Sequence, residues 1–395
     1  MKILYVTNAS PWPPSSGGAL RDHHFISHMS SHHDVRVVVL SDRPITASAD
    51  LPVPVKYRPF APPERPACPS KWRMRWTAAR EALDPLPQIV RAHSGDDLRE
   101  TFRCLAGDAK GYDLVWISRA HYARHAFKAG FDQRIVLDFV DVEWAAQRSH
   151  QAGLSFGPYR YLAAIDTFKL ARFERRIAKK AWRCVVCKEE DRALLGSASV
   201  QTRVVPNGTA IHAACTPSAA ASGRLLFVGL MSYGPNRDAA TWFVRDIFPG
   251  IIAPDGLPEI DIVGRDAQAD IVALQFPGSR VSIRGFVPDL RSVYESASVV
   301  VCPIRTGSGT RLKVLEAMSY GKAVVATTEA ARGIRLRPGV DFLAADSASD
   351  FAGACTRLLA DPDLRASLGR SGRASVLSRY SWDRVYADLD RVLTP

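Results

Sequence analysis

The chain has 395 residues, of which 47% are hydrophobic and 23% charged, and its formal net charge is +12. This length is too great for one ordinary core, so two α/β domains are expected, and the composition is typical of a soluble globular protein. No run approaches about 18 apolar residues, which excludes a membrane-spanning helix. The positive charge leaves nucleic acid, anionic lipid and phosphorylated small molecules open as partners. Seven scattered cysteines indicate reduced thiols and a cytoplasmic location.

The chain is predicted to begin with a βαβ unit. Lys2–Thr7 is expected to be a strand, because its apolar run is too short for a signal peptide. Gly17 and Gly18 then open a helix, and Val35–Leu40 forms the next buried strand. The loop before the helix lies at the carboxyl edge of the predicted sheet, where ligands bind, although no G-x-G-x-x-G fingerprint is present. The helix carries five histidines that form either a solvated face or, with lower expectation, metal ligands: His23, His24, His28, His32 and His33.

A proline-rich excursion and a basic, aromatic stretch follow. Residues 59–70 contain five prolines and are expected to be extended and loop-like. In residues 71–80, four basic residues alternate with Trp72, Met74 and Trp76. Such a segment can lie on an anionic membrane surface or grip an acidic acceptor. The alternative is a helix that packs its tryptophans on the domain and solvates its charges.

Two more strands of the parallel type are expected at Asp113–Ser118 and Arg134–Asp138. The second strand places Asp138, Asp141 and Glu143 at its carboxyl end. A long helix beyond it carries a basic run that is favoured as a solvated face over a nucleic-acid site. This run consists of Arg172, Arg175, Arg176, Lys179 and Lys180.

One C-x-x-C pair occurs in the chain. Cys184 and Cys187 stand inside an apolar run, and no second pair accompanies them. A packing role is therefore favoured over metal or redox chemistry.

The second half begins after a linker of small residues at 209–223. Short strands then run into Gly229, Gly264 and Gly285, and each is followed by a helical pattern. This alternation is typical of a doubly wound domain. The terminal segment 380–395 is predicted to be an amphipathic helix.

The central stretch of the second half is predicted to bind an anion. Ser298–Pro303 is a buried strand, Gly307 and Gly309 form a turn, and Arg311–Tyr320 is a short helix. Thr310 is expected to cap the helix and Gly321 to end it. The glycines let a ligand approach the backbone, and the helix start offers free N–H groups and a positive dipole end, which suit a phosphate. Two cations at this position, Arg311 and Lys313, oppose the dipole and point to an anionic ligand.

Several segments resemble a known family: FVGLMSYGPNRDAATWFV, IDIVGRD, GFVPDLRSVYESASVVVCPIRTGSGTRLKVLEAMSYGKAVVAT and the final RYSWDRV. They resemble the group 1 (family 4) retaining glycosyltransferases, and more narrowly the branch found in bacterial exopolysaccharide gene clusters. The resemblance is dense over Leu225–Val385. In the first half it depends on the Gly17-Gly18 loop and the turn Val204–Gly208.

This resemblance implies a GT-B architecture of the α/β class, in which two doubly wound Rossmann-like domains face each other across a cleft. Residues 1–208, completed by the terminal helix 380–395, would form the acceptor-side domain. Residues 224–379 would form the nucleotide-sugar domain. The resemblance also implies that no metal or other cofactor is needed, so cations and helix N-termini neutralise the departing diphosphate.

The family's motif residues are compared with the matching positions of this chain one at a time. Glu316 matches the second carboxylate of the E-x7-E motif, which hydrogen-bonds the nucleotide ribose, and Leu312 lies one turn before it. Ser308 stands where the family has the first glutamate, which contacts the donor sugar. The backbone of 308–310 (Ser308, Gly309 and Thr310) is one candidate to replace it. Arg311 and Lys313 are then expected at the diphosphate.

Other positions are assigned with less direct matches. Leu230 replaces the family's arginine after the first strand of the second domain, and Arg237 is expected to supply one charge instead. Gly285, Phe286 and Val287 match the segment whose backbone meets the base. In the first domain, the Gly17-Gly18 loop is expected at phosphate and acceptor. Asp138 or Asp141, with His121 as an alternative, occupies the neighbourhood of the family's donor-contacting histidine.

The function implied is transfer of a hexose-type unit, with retention, from a nucleotide-sugar to a lipid-linked or growing glycan acceptor. The enzyme is expected in the cytoplasm or on the inner face of the plasma membrane, which residues 71–80 would contact, with no nucleic-acid partner. Two alternatives stay open. One is a nucleotide-sugar epimerase of the same fold, and the other is a catalytically weak scaffold in a polysaccharide assembly complex.

Overall fold

A computed structural model describes residues 1–8, 10–14, 16–41, 53–59, 83–152, 157–215, 223–254, 256–276, 278–307 and 309–394. The chain divides into two compact units, Met1–Pro206 with Tyr386–Pro395, and Asn207–Val385. The proline-rich segment after Pro59, the basic stretch 71–80 and Ser308 lie outside the described residues. Among the described helices, none is both long and apolar enough to cross a bilayer.

The first unit contains a parallel sheet of seven strands. They are β1 (Lys2–Thr7), β2 (Asp34–Ser41), β3 (Val55–Pro59), β4 (Leu114–Ser118), β5 (Arg134–Asp138), β6 (Arg183–Val186) and β7 (Thr202–Val204). Their spatial order is β3-β2-β1-β4-β5-β6-β7, with Ile3 beside Val35 on one side and Leu114 on the other. β1 is buried from Ile3 to Thr7, because helices cover both faces of the sheet.

Seven α-helices lie between these strands in the part of the unit that the structure describes. They are α1 (Gly17–Ser30), α2 (Gln88–Ala92), α3 (Asp96–Asp108), α4 (Ala120–Ala129), α5 (Glu143–Ala152), α6 (Pro158–Ala178) and α7 (Glu189–Leu194). Ser16 caps α1, since its side chain accepts a hydrogen bond from the N–H of Ala19 at 3.2 Å. A buried ion pair joins α1 to the sheet: Arg21 Nε lies 2.8 Å from Asp138 Oδ2, and both side chains are fully buried.

The second unit contains a parallel sheet of six strands. They are β8 (Arg224–Val228), β9 (Glu259–Val263), β10 (Val281–Arg284), β11 (Val299–Cys302), β12 (Ala323–Ala326) and β13 (Leu343–Ala344), in the order β10-β9-β8-β11-β12-β13. The helices are α8 (Gly234–Trp242), α9 (Ala269–Val272), α10 (Arg291–Ser296), α11 (Leu312–Ser319), α12 (Thr328–Ala331), α13 (Ala348–Ala360) and α14 (Pro362–Tyr380). The central strands are apolar throughout and fully buried, as strands covered on both faces should be.

The last helix, α15 (Trp382–Leu393), returns the chain to the first unit from Tyr386 onward. The histidines of α1 meet it there. The His28 ring stacks on Tyr386 at 4.2 Å and its Nε2 lies 2.8 Å from Asp390 Oδ1, while His24 Nδ1 lies 2.8 Å from the Tyr386 hydroxyl. The expectation of a solvated histidine face is therefore wrong for His24 and His28, because the terminal helix packs on it.

Both units are thus α/β layers with an all-parallel, doubly wound sheet, as expected from the βα alternation of the sequence. The predicted fold class is confirmed.

Candidate functional site

The strand order of the second unit defines where a ligand binds. β8 and β11 are neighbours, but from β8 the chain moves to β9 and β10 on one side, and from β11 to β12 and β13 on the other. The loops that leave the carboxyl ends of β8 and β11 therefore diverge and leave a crevice, the usual ligand site of open α/β sheets. One loop leads to α8 and the other is the glycine-containing turn before α11.

The glycines of this turn are needed for conformation and for space. Gly307 and Gly309 have φ angles of +123° and +80°, which side chains rarely adopt. A Cβ on Gly307 would lie 2.9 Å from Nη2 of Arg311 and 3.3 Å from the hydroxyl of Tyr233. The turn thus brings the Arg311 guanidinium and the Tyr233 phenol together, and Tyr233 comes from the loop after β8.

The start of α11 differs from the prediction in two ways. The helix begins at Leu312, and Arg311 rather than Thr310 occupies the N-cap position, without a side-chain cap. The N–H groups of Leu312 and Val314 already bond the carbonyls of Thr310 and Arg311, each at 2.9 Å. Two of the N–H groups that were expected to be free are therefore already hydrogen-bonded. An anion bound here would depend more on the side-chain cations. Gly321, with φ +77°, ends the helix as predicted.

Arg311 is held in a buried position at the turn. Its side chain is 8% exposed, Nη1 donates to the carbonyl of Gly309 at 3.2 Å, and Nη2 lies 3.8 Å from Oε1 of Glu329. Glu329 belongs to α12, after the neighbouring strand β12, and its other oxygen contacts Arg332. The carboxylate of Glu329 therefore fixes Arg311 and partly balances its charge.

Lys313 is buried and reaches the loop after β8. Its Nζ donates to Oδ1 of Asn236 at 2.6 Å and lies 4.6 Å over the ring of Phe227. A Cβ on Gly229 would lie 2.7 Å from this ammonium, so the glycine leaves room for it. Burial lowers the pKa of Lys313 from 10.5 to about 8. An ammonium with this pKa gains strongly from an anionic partner.

Glu316 does not form the exposed pair with Lys313 that a purely structural role would give. Its Oε2 accepts a hydrogen bond from the Tyr294 hydroxyl at 3.1 Å, and the ring of Tyr294 stacks on Tyr320 at 4.4 Å. Burial raises the pKa of Glu316, while the bond from Tyr294 opposes that rise. Tyr294 was not singled out from the sequence, since it lies in an ordinary helical pattern.

The remaining predicted donor residues of this unit are spread along the same edge of the sheet. Arg237 Nη2 pairs with Asp270 Oδ2 at 2.7 Å, and its neighbour Asn236 contacts Lys313 instead. Gly285 follows β10, and the Phe286 side chain is 68% exposed. Val287 and Leu312 are partly buried against the core. The roles of these five predicted residues in donor binding stay predictions.

The first unit has its own switch point, between β1 and β4. Gly17 and Gly18 follow β1, and a Cβ on Gly18 would lie 2.6 Å from Nη2 of Arg119. Arg119 directly follows β4 and has a φ of +81°, and its Nη1 lies 3.8 Å from Glu143 Oε1. Sequence reasoning missed Arg119, although its position after a strand next to the switch point was a usable signal.

The other first-unit candidates differ in accessibility. Asp138 cannot serve a ligand, because the ion pair with Arg21 buries it. Asp141 is half-buried, one residue after Val140, whose φ is +52°. His121 is 6% exposed, its ring lies 4.6 Å from that of His93, and burial lowers its pKa well below 6.5. It is therefore neutral at pH 7, and a role at the site stays a prediction.

Cysteine and metal chemistry find no support among the described residues. Cys184 and Cys187 are buried, and burial raises the pKa of each thiol to about 12. The part of the chain that the structure describes has no cluster of three or more His, Cys, Asp or Glu residues that could hold a metal ion. The Cys pair therefore has a packing role.

The second unit is an α/β domain with a parallel, doubly wound sheet, and two cations and a carboxylate lie at its switch point. Residues 222–361 match the family model described as "Glycosyl transferases group 1". The match lies wholly within this unit. Residues 222–361 of the second unit are therefore similar to the group 1 glycosyl transferases.

Solved structures show the same fold over the whole chain. Sucrose-phosphate synthase from Thermosynechococcus elongatus is 18% identical with a TM-score of 0.67, covering 100% of this chain and 98% of that one. Anabaena HepE in complex with UDP-glucose is 15% identical with a TM-score of 0.62, covering 100% and 99%. The lipopolysaccharide outer core galactosyltransferase WaaB in its apo form is 12% identical with a TM-score of 0.63, covering 100% and 99%. No curated protein matches the chain. The fold is thus that of the GT-B glycosyltransferases.

Proposed function

We propose that this protein is a retaining glycosyltransferase that moves a hexose-type unit from a nucleotide-sugar to a lipid-linked or growing glycan. The observation that carries the proposal is the placement of Arg311, Lys313 and Glu316 within six residues at the switch point of the group 1 domain. Two cations suit a diphosphate, and a carboxylate suits the two hydroxyls of a ribose.

The cations act on the leaving group. As the bond between the anomeric carbon and the diphosphate oxygen breaks, negative charge builds on that oxygen. Arg311 and Lys313 stabilise this charge in a desolvated site, where such interactions are strongest. The acceptor hydroxyl oxygen then bonds the anomeric carbon from the same face, and its proton passes to the departing phosphate. No divalent metal is required in this scheme, because the two side chains supply the positive charge.

The donor and acceptor classes are proposed from the descriptions of the similar structures. HepE is described in complex with UDP, with UDP and glucose, and with UDP-glucose, and WaaB is described as a galactosyltransferase. A UDP-hexose donor and a cell-surface polysaccharide acceptor are therefore the first candidates for this chain. Ser308, which replaces the first glutamate of E-x7-E, leaves the sugar to be held by neighbouring groups, among which Tyr233 and Glu329 lie beside the turn.

The test is a thermal-shift panel of UDP-, GDP- and ADP-sugars, followed by hydrolysis and transfer assays with the stabilising donor, with and without EDTA. We expect one nucleotide series to raise the melting temperature and EDTA to have no effect. A protein that none of the donors stabilises would contradict the proposal. Stabilisation without release of sugar to water or acceptor would favour a scaffold.

A further inference from the structure

Helix α6 presents an unusual outward stripe. Positions 161, 165, 168, 172, 176 and 179 lie within about 80° of one another on a helix with 3.6 residues per turn. In its first half this stripe exposes Tyr161 (69%), Ile165 (41%) and Phe168 (69%). Its second half continues with exposed cations, which are Arg172, Arg176 and Lys179. We call these six residues the α6 stripe.

The packing of the remainder of the helix explains why this side faces outward. The opposite side packs on α4 and α5, where Leu170 and Ile177 are buried. The two acidic residues of α6 also lie off the stripe and are used in the unit. Asp166 accepts the N–H of Gln88 at 2.7 Å, and buried Glu174 accepts the N–H groups at the start of α5. The α6 stripe itself therefore contains apolar and basic residues and no acid.

We propose that the α6 stripe binds the surface of an anionic lipid membrane. Aromatic and aliphatic side chains insert at the level of the headgroups, and arginine and lysine contact lipid phosphates while their stems cover apolar surface. The stripe extends from Tyr161 to Lys179, the residue after the helix, a rise of about 27 Å at 1.5 Å per residue. The helix would therefore lie in the plane of the interface. The net charge of +12 adds attraction to an anionic surface.

Other occupants fit the stripe less well. A second copy of the chain would offer no acidic side chains from its own stripe to meet Arg172, Arg176 and Lys179. A nucleic acid would use the cations and the rings of Tyr161 and Phe168, but it has no use for the exposed Ile165. An anionic lipid surface accommodates both halves at once. The inference does not depend on glycosyl transfer, and it uses described residues outside the stretch 71–80.

The test measures cosedimentation of the full chain, without donor, with phosphatidylcholine vesicles and with vesicles containing 30% phosphatidylglycerol. We expect binding to the anionic vesicles that weakens as salt is raised. Arg172→Gln together with Arg176→Gln should lower the affinity about 30-fold, at about fivefold per basic residue. Phe168→Asp should lower it at least about tenfold.

The matched control is Phe276→Asp in the second unit, where the side chain is 61% exposed. It should bind as the wild type does, and Phe168→Ser replaces Phe168→Asp if the latter melts early. Wild-type protein that sediments with neither vesicle overturns the proposal. So does unchanged binding of both stripe variants. A dimer, detected by light scattering, that Phe168→Asp dissociates would also overturn it, in favour of a second copy.

Discussion

The ammonium of Lys313 lies 2.6 Å from Oδ1 of Asn236. Asn236 comes from the start of α8 and Lys313 from the start of α11, so this contact joins the two loops that diverge at the switch point. The resemblance implies a basic pair on the first of these loops, where this chain has Leu230 and then Asn236 and Arg237. In the structure, the cation Lys313, which follows β11, contacts Asn236, which follows β8.

Lys313→Met is expected to weaken nucleotide-sugar binding about ten- to a hundredfold, because a charge-assisted bond to the diphosphate is lost. The free energy of unfolding should change little, because two effects oppose each other. Removing a buried charge stabilises the fold, and leaving Asn236 Oδ1 without its hydrogen-bond donor destabilises it. Calorimetric titration and a thermal melt check both. The control is Lys322→Met, which removes another buried ammonium that donates to the Ala297 carbonyl. Equal donor affinity in the Lys313 variant and the wild type would remove Lys313 from the site.

Donor affinity is expected to fall as the pH rises through about 8, because the pKa of Lys313 is lowered to about 8 by burial and an anionic ligand needs the charged form. Its effect on folding has the opposite sign. Between about pH 8 and 10.5 the unfolded chain binds more protons at this residue, so the free energy of unfolding rises with pH over that window. Titrations from pH 6.5 to 9.5 test this. Lys313→Arg should abolish the alkaline fall, and a fall that persists there would assign it to another group.

Tyr294→Phe is expected to lower donor affinity about fivefold, the usual value of one hydrogen bond. Because the bond from Tyr294 lowers the pKa of Glu316, its loss raises that pKa further. The acid limb of donor binding should therefore move to higher pH, whereas Glu316→Gln should remove the limb. Tyr320→Phe keeps the stacked rings and serves as the control. A uniform loss at every pH would mean that Tyr294 contributes packing only.

Arg311→Met is expected to lower the turnover of donor about a hundredfold or more, in the range seen for groups that stabilise charge in a transition state. Arg332→Met removes the exposed arginine on the other side of Glu329 and should leave turnover near the wild-type value. Comparing kcat for the two variants gives the contribution of the buried Arg311 guanidinium to turnover. Full activity of the Arg311 variant would exclude its role at the diphosphate.

Gly307→Ala is expected to reduce stability by about 1–3 kcal/mol, because a residue with a side chain is strained at a φ of +123°. The new methyl group would also displace Arg311, from which it would lie 2.9 Å, so donor turnover should fall. Gly353→Ala is the matched control, since a Cβ there meets nothing within 4 Å. The control should have normal turnover and should be as stable as the wild type or slightly more stable, because Gly353 lies inside α13, where alanine is favoured over glycine. A stable, active Gly307 variant would show that the turn tolerates rearrangement.

Much of the fold could be predicted because it depends on local pattern. The continuous apolar runs of β1, β11 and β12 can only be strands covered on both faces, and glycines or prolines mark where each βα connection turns. The end of α11 at Gly321 was predicted because glycine readily adopts the left-handed conformation that ends helices. Its observed φ is +77°. The predicted N-cap at Thr310 was wrong, because the chain enters α11 from a turn with two positive φ angles and the N-cap falls on Arg311.

The turn with Arg311 and Lys313 was identified from residue types and spacing, since a cation at a helix start contradicts the helix dipole. Glu316 was identified from the resemblance to the glycosyltransferase motif. The partners of these side chains were decided by tertiary structure. Asn236 precedes Lys313 by 77 residues and Tyr294 precedes Glu316 by 22. Asn236 and Lys313 meet because the order of strands puts β8 beside β11, and Tyr294 and Glu316 meet because the helices before and after β11 pack together. No local pattern specifies either arrangement. The sequence by itself determined the elements and the charged turn; the neighbours that set the charge and pKa of each side chain were determined by the packing of the sheet.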